Sequence, residues 1–205
     1  DPALTVDSLN TLGAAELLRG HWPQARQWFE RSLRQAGENG LRRETASALN
    51  NLGLTSLCES SLADCADRIS AAAAIQREMG DHVSLARTLH NLAGAHMGRG
   101  DWALARDANE LALRYARAHQ VGALISTIEF MQGATLIELG QVDAARRHLE
   151  AAAEHCRARG DDFYELKARY YLARLDVRDG RPAEGGQALL AAARQAHDQR
   201  VDLVL

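Results

Sequence analysis

A period of forty residues runs through the chain and limits its fold more than any other feature. Stepping by forty from Gly20 gives Ser60, Gly100, Gly140 and Gly180, and a column seven residues earlier holds Gly13, Gly53, Ala93, Gly133 and Ala173. Five residues after the first column stand Ala25, Cys65, Ala105, Ala145 and Gly185; seven further on stand Ser32, Ala72, Ala112, Ala152 and Ala192. A fixed period of this length marks an array of similar supersecondary units, none of which can bury its apolar face alone. The units fall at about 1–40, 41–80, 81–120, 121–160 and 161–200. Residues 201–205 repeat the phase of 121–125, as the start of a sixth unit would.

Each unit predicts two amphipathic helices, because apolar positions recur at spacings of three and four over segments of about eighteen residues. In the second unit these are 42–59 and 62–79. Turn signals stand where such pairs need them: Gly20, Gly100, Gly140 and Gly180 within pairs, and Gly40, Gly80 and Gly160 between pairs. Asp81 and Asp161 suit N-caps, while Pro23 and Pro182 suit the first turn of a helix, where a missing N–H costs nothing. The small columns mark the crossing of two paired helices, with the mostly large column Phe29, Ile69, Asn109, Leu149 and Leu189 filling the space beside it.

These columns resemble the tetratricopeptide repeat: a Leu-Gly pair, a small residue twelve positions on, a large apolar residue four later and an Ala three after that. Leu12-Gly13 with Ala25, Phe29 and Ser32, and Leu52-Gly53 with Cys65, Ile69 and Ala72, carry the likeness. The resemblance implies an all-α, right-handed α-solenoid of about five antiparallel helix pairs, a single domain over 1–205. The forty-residue spacing is similar to that of peptide-binding spindle-orientation adaptors and of sensor regions in bacterial signal-transduction ATPases and transcription activators. Departures from the pattern are Asn109, Glu129 and Gln132, which stand where apolar residues are expected.

In that family the first helix of each pair lines a concave surface. The resemblance therefore places partner-binding residues at Asn10, Asn50, Asn51, Arg87, His90 and Asn91 in the amino-terminal half, and at Phe130, Met131, Lys167, Tyr170, Tyr171, Arg174 and Arg178 in the carboxy-terminal half. Amides can pair with both the donors and the acceptors of an extended peptide. Aromatic rings beside cations suit an acidic or aromatic group, or cation and ring pairing within the groove. His96 and Asn109 are expected to face each other as a buried polar pair, and His148 and His155 to lie on the surface.

The function expected is a non-catalytic interaction domain that binds a protein or peptide; the alternative is a ligand-sensing regulatory domain that takes a small effector. No phosphate loop, nucleophile elbow or zinc-binding His-Glu pattern occurs, so neither enzyme chemistry, a metal nor a cofactor is implied. A net charge of -3 gives no basic field for nucleic acid, and the longest apolar runs fall far short of a membrane span. Three scattered cysteines point to a reducing compartment, with the cytoplasm as the default. The apolar Val201, Leu203, Val204 and Leu205 suggest a fragment of a longer protein, or an end buried by self-association.

Overall fold

A computed structural model describes residues 1–59 and 62–199. Ser60 of the turn column and the start of a sixth unit at 201–205 lie outside the described residues. Among those described, ten α-helices follow one another without a strand: α1 Pro2–Leu18, α2 Trp22–Glu38, α3 Arg42–Cys58, α4 Leu62–Glu78, α5 His82–Arg99, α6 Trp102–Ala118, α7 Gly122–Glu138, α8 Val142–Arg159, α9 Asp162–Arg178 and α10 Pro182–Gln199. They gather into two compact units divided between Tyr115 and Ala116, near the end of α6. In the first unit α1 packs on α2, α2 on α3, α3 on α4 and α4 on α5. The second unit repeats the scheme with α7 on α8, α8 on α9 and α9 on α10. None of these helices is long and apolar enough to cross a membrane.

Local sequence sets the helix ends. Asp81 Oδ1 accepts from Ser84 N at 3.2 Å and Asp161 Oδ1 from Tyr164 N at 3.3 Å, so both expected caps form. Asp1 caps α1 in the same way through Ala3 N. At the helix C-termini one hydrogen bond recurs from the residue after the turn to the carbonyl five before it: His21 N to Glu16 O, Leu41 N to Ala36 O, Asp81 N to Gln76 O and Gln141 N to Leu136 O, all at 2.9–3.0 Å. That six-to-one bond needs a left-handed residue just before its donor, and glycine fills the place at seven turns. The eighth holds Gln120 with φ 55, which is the turn between the third and fourth pairs that lacked a glycine signal.

In the first, second and fourth pairs the helices approach until backbone meets side chain. A Cβ on Gly13 would lie 2.5 Å from the Phe29 ring, one on Gly53 2.4 Å from Ile69 Cγ1, and one on Gly133 2.6 Å from Leu149 Cγ. Phe29, Ile69 and Leu149 are fully buried, as are Ala25, Cys65, Ala105 and Ala145, which stand one turn earlier on the second helices. Between pairs, ion pairs repeat at one register: Arg26 reaches Glu59, and Arg146 bonds Asp176 at 2.8 Å and Asp179 at 2.7 Å.

The polar residues in apolar columns resolve in two ways. Glu129, which takes the place of Leu9, Leu49 and Leu89, is 1% exposed and is held by Arg117 from α6 and His148 from α8. Burial alone would raise its carboxyl, but the hydrogen bond from His148 and the charges of His148 and Arg117 outweigh it and hold the group below the usual carboxylate range. His148 is thus half-buried and engaged, contrary to the surface position expected of it, because a carboxylate in a leucine column needs a partner from the neighbouring helix; His155 is exposed. Asn109, by contrast, is fully buried with neither amide atom hydrogen-bonded, and so is Gln132 Oε1.

The expected His96–Asn109 bond does not form. His96 Nδ1 is sealed without a hydrogen bond and lies 3.9 Å from Asp101 Oδ2 at the helix end, so its ring has turned toward the turn rather than the pair. The His90 imidazole, likewise sealed at Nδ1, is lowered from its ordinary value by burial.

Three outcomes follow from this packing. Ala145→Leu should cost about 1–3 kcal/mol by overpacking against Gly133, read as a fall in the denaturation midpoint. Gln120→Gly should raise stability by about 1 kcal/mol by removing a left-handed side chain, with an unchanged urea midpoint as the contrary result. Both His90 and Glu129 have folded pKa values below their unfolded ones, so the unfolded chain takes up protons first and stability is lost as pH falls. That loss should begin below the ordinary histidine value of 6.5 and steepen below the ordinary carboxylate value of 4.5. Glu129→Leu, which restores the column residue, should flatten the acid part of a stability–pH curve.

Candidate functional site

In the first unit, α1, α3 and α5 lie side by side, since α1 packs on α3 and α3 on α5. Their shared face carries a groove of about 480 Å³. Arg43, Glu44, Ser47, Asn50 and Asn51 come to it from α3; Ser84, Arg87 and Thr88 come from α5, and Asp7 from α1. The three asparagines join into a relay: Asn91 Nδ2 donates to Asn50 Oδ1 at 3.0 Å, and Asn50 Nδ2 to Asn51 Oδ1 at 3.4 Å. The relay crosses from α5 to α3 because Asn50 and Asn91 are one residue out of the forty-residue register, which sets them diagonally on adjacent first helices. Its ends, Asn51 Nδ2 and Asn91 Oδ1, keep unused hydrogen-bonding capacity. Acids and bases nearly balance along the groove, and Asp81 is occupied as a helix cap.

The other residues expected in this half take different places. Asn10 Oδ1 accepts from Ser32 Oγ at 3.0 Å, which ties α1 to α2 and commits that amide within its own pair. Arg87 is exposed at the groove, whereas His90 is partly covered with Nδ1 sealed from solvent. A contributor that first-helix counting misses is Gln76, from the last turn of α4, which lines the groove while only 7% exposed.

In the second unit α7 packs on α9, and rings from both form one cluster. Phe130 meets Tyr171 edge-on with centroids 5.5 Å apart, and lies 5.7 Å from Tyr164. Tyr171 in turn stands edge-on to Tyr170 at 5.8 Å. Arg174 lies over both tyrosines, 5.3 Å from the Tyr171 ring and 5.8 Å from the Tyr170 ring, while Lys167 Nζ stands 5.1 Å from the Phe163 centroid. Cation and ring pairing therefore does form here, each contact supplying attraction through the ring quadrupole.

Burial corrects part of the expected surface. Phe130 has no exposed surface, and Tyr171 and Lys167 are 7% and 8% exposed, so these three are packing residues in the free protein. The physical reason is size: large rings one turn apart on adjacent first helices fill the space between them and carry the lysine stem along. Tyr170 packs beside Leu166, Ala192 and Ala196, which leaves Met131 half-exposed and Arg174 and Arg178 exposed on this face. Among the described residues no group of three or more His, Cys, Asp or Glu is placed to hold a metal ion.

Comparison with known proteins agrees with this architecture. The family profile described as tetratricopeptide repeat matches residues 5–34. No curated protein matches the sequence significantly. Among solved structures, the chain is similar to the nearly identical TPR-like repeats of a putative kinesin light chain from Podosopora anserina, with 18% identity over 98% of this chain and 99% of that one and a TM-score of 0.78. It is also similar to aspartyl phosphate phosphatase F from Bacillus subtilis, with 10% identity, 97% and 51% of the two chains covered, and a TM-score of 0.84. A third is the Rap conjugation gene regulator of plasmid pLS20 in complex with the Phr peptide, with 15% identity, 94% and 53% covered, and a TM-score of 0.73. The chain spans about half the length of the last two proteins. Its first helix pair is a tetratricopeptide repeat by sequence, and the chain carries the TPR-like α-solenoid fold.

Proposed function

We propose that the chain is a non-catalytic interaction domain and that the groove of the first unit receives an extended peptide. The observation that carries this reading is the Asn91–Asn50–Asn51 relay, whose Asn50 and Asn51 line the groove. An extended peptide offers an N–H and a C=O from each residue, and side-chain amides are the groups that can answer both without a charge. The near balance of acids and bases in the groove favours a backbone ligand over a free ion. The Rap regulator bound to the Phr peptide shows that a fold similar to this one accommodates a peptide.

A non-catalytic role is supported by the state of the reactive groups. Burial pushes the Cys156 thiol up to about 11, which keeps it protonated and a poor nucleophile. The Glu129 carboxylate, the most buried acid described, spends both oxygens on Arg117 and His148. The same comparison favours a second reading, in which this chain is the sensing part of a larger regulator, since the match covers 53% of a conjugation gene regulator. Both readings use the same groove.

Changing Asn50, Asn51 and Asn91 together to Ala tests the groove. Peptides selected from a random display library on the wild-type chain should lose at least tenfold in affinity for the triple variant, as expected when several hydrogen bonds of about 0.5–1.5 kcal/mol each are removed. Equal binding by a variant with wild-type circular dichroism would overturn the reading.

A further inference from the structure

Gln76 breaks a column of small residues. The equivalent positions are Ala36, Ala116, Cys156 and Ala196, each 5% exposed or less. All of these stand in the last turn of a second helix, and the Gln76 backbone keeps the column's role, its carbonyl accepting the turn bond from Asp81 N at 3.0 Å. Nothing in the repeat therefore calls for a long polar side chain here. Yet Gln76 is 7% exposed, lines the groove, and leaves its Oε1 buried without a hydrogen bond. An alanine would bear no such cost.

The chemistry of this group limits what can answer it. A glutamine amide presents an acceptor and two donors in one plane, and a half-turn about its last torsion exchanges them. A carboxylate satisfies only one of the two orientations and an ammonium only the other, whereas a carboxamide satisfies both by a pair of parallel N–H···O bonds. The surroundings point the same way. Two arginines, Arg43 and Arg87, stand against three acids, Asp7, Glu44 and Asp81, so the groove holds no strong field of one sign at this depth. Thr88, 2% exposed, and Ser47 add further neutral polar groups to the lining.

We propose that Gln76 forms a carboxamide-reading subsite, in which the side chain of an Asn or Gln of the bound peptide pairs with the Gln76 amide. This rests on the groove being a peptide site and adds the side chain it selects. The relay of asparagines holds the peptide backbone, and Gln76, reaching in from the second helix, reads one residue of it.

The test uses random-peptide display on the whole chain, beside Gln76→Ala, which restores the column residue and should fold as Ala36 does. Peptides that bind the wild type and are lost on the Asn50, Asn51 and Asn91 substitutions should enrich Asn or Gln at one position. Replacing that residue by Leu should weaken binding to the wild type at least tenfold and change binding to Gln76→Ala less than twofold. A Gln76→Glu chain, with an acceptor only, should shift the enrichment to Lys or Arg. Groove-dependent peptides with no amide preference, or equal losses on both proteins, would overturn the subsite and leave the groove standing. Selection of no groove-dependent peptide would overturn the groove and the subsite together.

Discussion

The closeness of paired helices is the constraint on which the rest depends. At Gly13, Gly53 and Gly133 there is no room for a Cβ, because the ring of Phe29, Ile69 Cγ1 and Leu149 Cγ already occupy its place. Helices at that distance bring small residues of one against large residues of the other, and this fixes both the rotation of each helix and its height against its mate. Once rotation is fixed, the opposite faces are fixed as well. The second helix then offers Arg26 or Arg146 to the acids of the next pair, and the first helix offers Asn50 and Asn91 to its neighbours. The groove is thus a consequence of contacts made on the far side of the same helices.

That is why so much of the fold is legible in the sequence. A backbone-to-side-chain contact admits only Gly, Ala, Ser or Cys, so it leaves a column that any register search finds. The left-handed turn residue is nearly as selective, although Gln120 shows that one such position can hold a side chain at a local cost. The capping aspartates announce themselves because an Asx side chain ahead of a helix has few other uses.

What escaped the sequence is where partners are chosen across helices. Asn109, Glu129 and Gln132 stand out as polar residues in apolar columns, but periodicity cannot say that Glu129 would find Arg117 and His148 while Asn109 would find no hydrogen bond. Those outcomes depend on side-chain reach from a third helix. His96 was expected opposite Asn109, and the ring turned instead toward Asp101, because a residue in the last turn can reach the exposed helix end as easily as the pair interface. The site shows the same division. Counting along first helices reaches Asn50 and Asn51 at the groove but also takes in Asn10, which is spent on Ser32, and it overcounts in the second unit, where Phe130, Tyr171 and Lys167 are drawn inward by their own bulk. Gln76 lies outside any such count, since its column is otherwise reserved for small packing residues.

The groove of the first unit and the aromatic face of the second therefore hold their groups in opposite conditions. In the second, each ring has a ring or a cation against it, and Lys167 and Arg174 lie over aromatic faces; a ligand there would have to break attractions already made. In the first, the relay ends at atoms with capacity to spare and Gln76 Oε1 is shut away from water with no bond at all. A buried acceptor without a bond has already lost its water, so a ligand donor that reaches it gains a hydrogen bond without that part of the desolvation cost. On that ground the groove of the first unit suits the peptide we propose better than the aromatic face of the second does.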